Sequence, residues 1–310
     1  MISLRYHVVS IASVFLALAV GVLMGSGSVS QTLLSGVFGQ RDSLSKQVSH
    51  LRGELDTTHG ELADARQFGS AVAPLAVRGA LEKRSVVVIT APDVAPRHHD
   101  AMKKLLTSAG AEVTGTLRFT DRVTDPARAG QLRDVVTRLL PAGVRLPVTA
   151  DPGTLVGGLL GPLALLDPRT DHPQSSPQER AAALSGLSEG GFLRASPELR
   201  PAQLAVVLTG GDRTDSGPRA ASTMLARLAA QVDRSGAGAV LAGMAASENG
   251  TVEIARADRA ISSTLSTTDH AGTASGRVAT VLALREQLSG KSGHYGVSGS
   301  AEGPVPRLRG

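Results

Sequence analysis

Residues able to do chemistry are sparse in this chain of 310 residues, and none falls into a recognised catalytic spacing. There is no cysteine. Of five methionines, Met1 and Met24 sit near the N-terminus, while Met102, Met224 and Met244 are scattered through core-like segments. Soft-metal sites gather thiolates or thioethers, and no such cluster is written here. His98 and His99 are adjacent, beside Asp100 at the start of a predicted helix. They are the weak candidates for a divalent ion, which would need a third ligand from elsewhere; a solvent-exposed helix start is the plainer use of the pair. His270 beside Asp269 and His294 beside Tyr295 are similarly isolated. A serine hydrolase needs its nucleophile in a Gly-x-Ser-x-Gly turn between strand and helix. No such turn occurs, and Gly296-Val297-Ser298-Gly299 lacks the spacing. Ala91-Pro92-Asp93 and Gly210-Gly211-Asp212-Arg213 follow predicted strands, where doubly wound sheets place ligands. Neither matches a Walker A sequence, and Gly-Gly-Asp is also an ordinary tight turn. These residues predict a protein that is not an enzyme, with no catalytic residue and no evident cofactor.

The elements around them are far more informative. From Tyr6 to Gln40 there is no Asp, Glu, Lys or Arg, and an apolar run extends from Val8 to Met24. At about 17 residues plus uncharged flanks, it is near the ~20 needed to cross a bilayer. A cleaved signal would want a stronger basic start than Arg5 and a clear small-x-small site; Ala17-Leu18-Ala19 has that form but lies inside the apolar core. Residues 1–30 therefore read as a retained transmembrane anchor. Arg5 precedes the span and Arg41 is the first cation after it, which places the N-terminus in the cytoplasm and the remainder outside. Ser13, Ala17, Gly21 and Gly25 form a stripe of small residues on which two such helices could pair closely.

Residues 31–70 read as a stalk. With Arg41, Val48, Leu55 and Leu62 at the a positions, the d positions are Leu44, Leu51, Thr58 and Ala65. The seam is mostly apolar, and Glu54 and Glu61 at g can meet His59 and Arg66 at e of a parallel partner. The competing reading is a single amphipathic helix folded back on its own domain, and Gly53 and Gly60 weaken the helix. A helix of this ~26-residue length spans roughly 40 Å.

Beyond the stalk, strand and helix patterns alternate: strands at 85–90, 112–119, 204–209 and 239–244, and helices at 97–109, 127–140, 218–234 and 275–288. That alternation predicts an α/β fold, a Rossmann-like parallel-sheet domain over residues 80–292. Residues 147–196 read as irregular except for a short helix at 178–187, with the apolar stretch 155–166 packed in the core. The Gly-, Ser- and Pro-rich residues 293–310 are expected to be a disordered tail. Hydrophobic residues make up 42% of the chain and aromatics only 2%, so the core must be Val, Leu and Ala. The net charge of +5 is spread thinly over 32 basic and 27 acidic residues without interleaved aromatics, a solvated surface and no nucleic-acid partner.

The opening Met1-Ile2-Ser3-Leu4-Arg5-Tyr6-His7, followed by Val14-Phe15-Leu16-Ala17-Leu18-Ala19-Val20-Gly21, resembles the start of the actinobacterial MctB copper-transporter family. The closing stretches Gly276-Arg277-Val278-Ala279-Thr280-Val281-Leu282-Ala283-Leu284 and Gly293-His294-Tyr295-Gly296 are similar to that family's end. The likeness covers both ends and the order of anchor, coiled coil and α/β domain, but no motif within 141–201. It implies a role in copper transport or homeostasis, and copper enters only through it. It implies either a copper pore of the outer envelope layer or a single-pass partner in control of envelope assembly. A self-contained pore needs a closed barrel or several membrane helices, whereas one span would require an oligomer of anchors.

The expectation is therefore a membrane-bound parallel homodimer in the cell envelope, acting as a non-catalytic scaffold or regulatory partner of another envelope protein. The alternatives are a subunit of a copper efflux pore and a ligand-binding or enzymatic Rossmann-like domain. If the small-residue stripe pairs the anchors, replacing Gly21 and Gly25 together by Ile will weaken dimer crosslinking in membranes. Unchanged crosslinking would remove the stripe from the pairing surface.

Overall fold

A computed structural model describes residues 4–26, 29–144, 146, 151–211 and 218–307. The chain divides into two compact units, Met1–Ala65 and Arg66–Gly310. In the first, helix α1 covers Leu4–Ser26, and its segment Arg5–Gly25 is long and apolar enough to cross a membrane. Helix α2 runs over Val29–Ala76, of which residues up to 65 belong to the first unit. Side chains of residues 5–25 of α1 and of the stalk residues 44–65 are exposed, so neither stretch is held by a core of its own.

The second unit is built on seven strands. In chain order they are β1 (Ser85–Thr90), β2 (Glu112–Phe119), β3 (Leu193–Ala195), β4 (Leu204–Thr209), β5 (Ala239–Gly243), β6 (Ser266–Thr268) and β7 (His294–Tyr295). The spatial order is β3-β2-β1-β4-β5-β6-β7, with β3 antiparallel to β2 and all other pairs parallel. The helices are α3 (Pro96–Ser108), α4 (Ala129–Arg138), α5 (Pro152–Ala164), α6 (Pro177–Glu189), α7 (Pro218–Asp233), α8 (Thr251–Ala257), α9 (Arg259–Ser262) and α10 (Ala274–Gln287).

Central strands β1 and β4 are buried on both faces, which explains why Val-Val-Val-Ile and Leu-Ala-Val-Val-Leu are continuous apolar runs without alternation. Alternate residues still go to different layers. Val87, Ile89, Ala205 and Val207 join the core under α4, α5, α7 and α8. Val86, Val88, Leu204, Val206 and Leu208 join the core under α3, α10 and the end of α2, where Ala73 and Val77 are buried. Each fully buried Val or Leu contributes about 1.5–3 kcal/mol, so these two aliphatic layers stand in for the missing aromatics.

The four strands expected at 85–90, 112–119, 204–209 and 239–244 are present within one residue. Two expectations need correction. Of the segment expected to be irregular, 147–196, the described residues 151–196 are mainly regular: α5 forms despite Gly157, Gly158, Gly161 and Pro162. The Asp151 side chain caps it by accepting from the Thr154 backbone N–H at 2.7 Å, with Pro152 at its first position. Its glycines are there for contact. A Cβ on Gly153 would lie 2.1 Å from the Met224 carbonyl oxygen, one on Gly157 2.7 Å from the Leu228 oxygen, and one on Gly161 2.1 Å from Ser235 Oγ. Gly153 and Gly157 let α5 lie directly on the backbone of α7, and Gly161, a further turn along, makes room for the Ser235 side chain just beyond it.

The second correction concerns the segment 293–310, expected to be disordered. It forms β7 and continues as a folded strap through residue 307. Its backbone is tied by Gly296 N–H to the Gly303 oxygen at 2.8 Å and by Glu302 N–H to the His294 oxygen at 2.7 Å. Gly and Ser are needed here for tight turns and short hydrogen bonds, a use that composition alone does not distinguish from a flexible tail.

The α5–α7 contact makes a direct prediction. Gly157→Leu should destabilise the chain by about 2 kcal/mol through overpacking, despite a gain in helix propensity of about 1 kcal/mol. Urea unfolding would show a lowered midpoint; an unchanged or raised midpoint would mean that the close approach of the two helices is not tight.

Candidate functional site

In a sheet of this topology the chain leaves β1 toward β2 on one side and β4 toward β5 on the other. The carboxyl ends of β1 and β4 are the topological switch point. There Asp93 Oδ1 accepts the Gly210 N–H at 3.0 Å, and a Cβ on Gly210 would fall 2.4 Å from the Asp93 carboxylate. The aspartate is used to join the two loops. Asp212 and Arg213, the other candidates on this edge, lie outside the described residues. Thr90 Oγ1 and Thr209 Oγ1, at the ends of β1 and β4, are buried without a hydrogen-bond partner. By strand alternation they face opposite sides of the sheet, so they do not converge on one ligand.

The adjacent histidines are also separated. His99 is buried, with Nδ1 3.0 Å from Asp100 Oδ1 and Nε2 3.0 Å from Thr116 Oγ1, so both ring nitrogens have partners. His98 is half-buried and turns toward Arg97, whose Nε is 3.4 Å from His98 Nε2. Burial and the neighbouring Arg97 and Arg277 hold its pKa below the ordinary histidine value. Two guanidinium groups beside an imidazole oppose cation capture. Among the described residues, no three His, Asp or Glu side chains are grouped closely enough to hold a metal ion.

The densest polar cluster lies elsewhere, between α8, β6 and the strap. The Arg256 side chain is 4% exposed and its Asp269 partner 1%, with Nη1 and Oδ2 2.8 Å apart. Arg256 also reaches Glu253, Thr267 Oγ1, Ser298 Oγ, Ser300 Oγ and the Tyr295 carbonyl oxygen, at 2.7 to 3.3 Å. Asp269 accepts from Val297 N–H at 2.8 Å and from the Ser298 hydroxyl at 2.9 Å. Its burial opposes ionisation, but the backbone N–H of Val297, the guanidinium and the Ser298 hydroxyl outweigh it and keep the carboxyl below the usual range. Glu253, Asp269, Ser298 and Ser300 would resemble an oxygen-ligand cation site, except that the Arg256 guanidinium occupies the position of the cation. The arrangement ties the strap to α8 and β6.

Sequence reasoning missed Arg256 and Glu253, which carry no motif. It did mark Gly293-His294-Tyr295-Gly296 without a chemical role, and the geometry supplies one. Gly296 has φ +149°, and a Cβ there would lie 2.1 Å from Asp269 Oδ1; a Cβ on Gly293 would lie 2.1 Å from the Tyr295 hydroxyl. That hydroxyl donates to Glu286 Oε2 at 2.5 Å, and burial followed by Glu286 pushes the phenol pKa up. In Gly276-Arg277, a Cβ on Gly276 would clash with the His270 oxygen at 2.0 Å, and Arg277 donates to the Gly272 oxygen at 3.0 Å. Both glycine motifs are packing requirements of the strap and of α10.

The first unit carries surfaces of another kind. Ser13, Ala17, Gly21 and Gly25 recur every fourth residue of α1, with nothing within 4 Å of a Cβ on either glycine; the Ser13 hydroxyl is turned back on the Val9 oxygen at 2.7 Å. On α2, Leu44 is 61% exposed, Val48 40%, Leu51 61%, Leu55 55% and Leu62 44%, values at which a seam of this length is left in water. Thr58 at d has its hydroxyl satisfied by the Glu54 oxygen at 2.8 Å, and Glu54 pairs within the helix with His50 at 3.3 Å. Ala65 completes the seam, while the side chain of Arg41 lies outside the described residues.

An N-terminal helix of membrane-spanning length and apolarity, on one chain with a mostly parallel α/β sheet flanked by helices, places the protein among α/β proteins that carry a membrane-type helix. The chain belongs to the MctB family: the family model described as copper transport outer membrane protein, MctB, matches residues 1–306. It is 37% identical to the copper transporter MctB of Mycobacterium tuberculosis (strain CDC 1551) over 309 residues, covering 97% of this chain and 98% of that protein. It is 36% identical over 312 residues to the copper transporter MctB of Mycobacterium leprae, with the same two coverages.

Removing Arg256 leaves a buried carboxylate uncompensated, so Arg256→Ala should cost about 3 kcal/mol and abolish amide-exchange protection at residues 293–303. Retained protection would mean that the strap is held without the ion pair. Because the folded Asp269 carboxyl titrates below its ordinary 3.8, its stabilisation is complete above about pH 4 and is lost as pH falls through the folded value. Asp269→Asn should therefore flatten the acid limb of the stability profile; an acid limb equal to that of the native chain would assign the loss to other carboxylates.

Proposed function

We propose that the protein is a self-paired, single-pass scaffold of the cell envelope, with its N-terminus in the cytoplasm and its α/β domain outside. A second copy would run parallel and cover the coiled-coil seam Leu44, Val48, Leu51, Leu55, Thr58, Leu62 and Ala65, while the anchors pair along Ser13, Ala17, Gly21 and Gly25. The observation that carries this reading is the exposure of five large aliphatic side chains at heptad spacing on one helix face. Heptad register supports it, since Glu61 at g stands opposite Arg66 at e of a parallel partner. The α/β domain then serves as a binding module for another envelope protein, and copper homeostasis depends on the chain through that partner.

One observation favours a second reading, a subunit of an oligomeric copper efflux pore: the matching relatives are named copper transporters. Against direct copper handling stand the donor types. The chain has no thiol, and its methionines are dispersed. Copper flux across liposomes that depends on the reconstituted chain alone would replace the scaffold with the pore.

Self-pairing is tested with introduced thiols, since a chain without cysteine reports only the added one. Leu51→Cys, at d, should give a disulfide-linked dimer in native membranes under mild oxidation, and Asp56→Cys, at the outward b position, should give several-fold less. Equal yields, or no dimer from Leu51→Cys, would defeat the parallel seam.

A further inference from the structure

The strap described above does more than close the sheet edge. Between the second half of α10 and the returning residues 302–307 it leaves an open groove of about 800 Å³. Three cations line it, each from a different segment: Arg285 from α10, Lys291 from the turn before β7, and Arg307 from the end of the strap. All three are exposed, and no ion pair or hydrogen bond of their side chains is found among the described residues. That contrasts with the rest of this corner, where Arg256 and Arg277 are engaged.

Two carboxylates share the groove and offset part of its charge, leaving three cations to two anions. Glu286 is turned into the Tyr295 hydroxyl, and Glu302 is exposed on the strap side, anchored through its backbone to the His294 oxygen. Pro304 and Pro306 stiffen the wall and lack N–H groups of their own, while Ser289 and Ser292 add hydroxyls on the other side. Its aliphatic lining is small: Leu282 is 6% exposed and Val305 37%. Exposed cations that approach from separate segments, in an open groove, suit an oxyanion chain better than an acyl tail.

We propose that this groove binds a phosphate-bearing polymer, with Arg285, Lys291 and Arg307 as its ligands. The site is independent of self-pairing, because every residue in it belongs to the α/β unit of one chain.

The test uses the full-length protein in phosphatidylcholine nanodiscs and fluorescently labelled inorganic polyphosphate. Binding should saturate and weaken with salt. Combined Arg285→Gln, Lys291→Gln and Arg307→Gln should reduce affinity at least tenfold, while the control triple Lys103→Gln, Lys104→Gln and Arg138→Gln, also exposed, should leave it within twofold. Amide exchange should slow on ligand addition within residues 285–307 of the native chain. Equal losses in the two triples, or no saturable binding, would overturn the proposal and leave only diffuse attraction to a basic surface. Binding seen only with phosphatidylglycerol nanodiscs, and lost in the groove triple, would overturn the polymer and assign the three cations to lipid headgroups.

Discussion

A carboxylate that is 1% exposed must be given donors before the chain around it can close, and for Asp269 those donors come from far along the sequence. Arg256 lies 13 residues before it and Val297 and Ser298 lie 28 and 29 residues after it. Satisfying one side chain therefore fixes α8, the end of β6 and the strap together. The same guanidinium holds the Tyr295 carbonyl, so the edge strand β7 depends on the pair as well. A buried ion pair of this sort adds little over apolar packing in net terms, yet it is costly to break from one side. It acts here as a latch between elements far apart in the chain.

That dependence explains the shape of what could be read in advance. The central strands β1, β4 and β5 were legible because burial on both faces makes them runs of Val, Leu, Ile and Ala, and β2, only partly buried, through its Val, Thr, Leu and Phe. Strand β6 was not, since Ser266, Thr267 and Thr268 carry no apolar signal although all three are fully buried. Their hydroxyls are satisfied by Gln287 and Gly293, by Arg256 and His294, and by Thr280. Those partners are up to 27 residues away, beyond the reach of any local window. The misreading of α5 has the opposite cause: its glycines are penalties for an isolated helix and assets for one that lies on the backbone of α7.

Legibility of the candidate sites follows the same division. Periodicity marked the small-residue stripe of α1 and the seam of α2 because both repeat along a single helix. The Arg256 cluster depends on three separated segments, and only Gly293 and Gly296 hinted at it. The groove above α10 was invisible for a related reason, because the strap that forms half of it was read from composition as disordered.

Apolar surface is used in two unlike ways in this protein. In the α/β unit it is consumed in two aliphatic layers, and the fully buried residues include Leu81, Leu106, Leu159 and Leu163. In residues 44–62 leucines of the same size remain about half exposed on a helix rich in Ser, Glu and Gly. Helical propensity cannot account for that stretch, because Gly53 and Gly60 each cost about 1 kcal/mol relative to Ala. Solvation does not account for it either, since leucine at four heptad positions is a poor choice for a face that stays wet. Under the proposed self-pairing both would be explained, the packing gained at a and d offsetting the glycines at f. On the proposed reading, a chain with such a face and with no thiol would assemble neighbours, and any soft-metal contact within this copper transport family would fall to dispersed methionines.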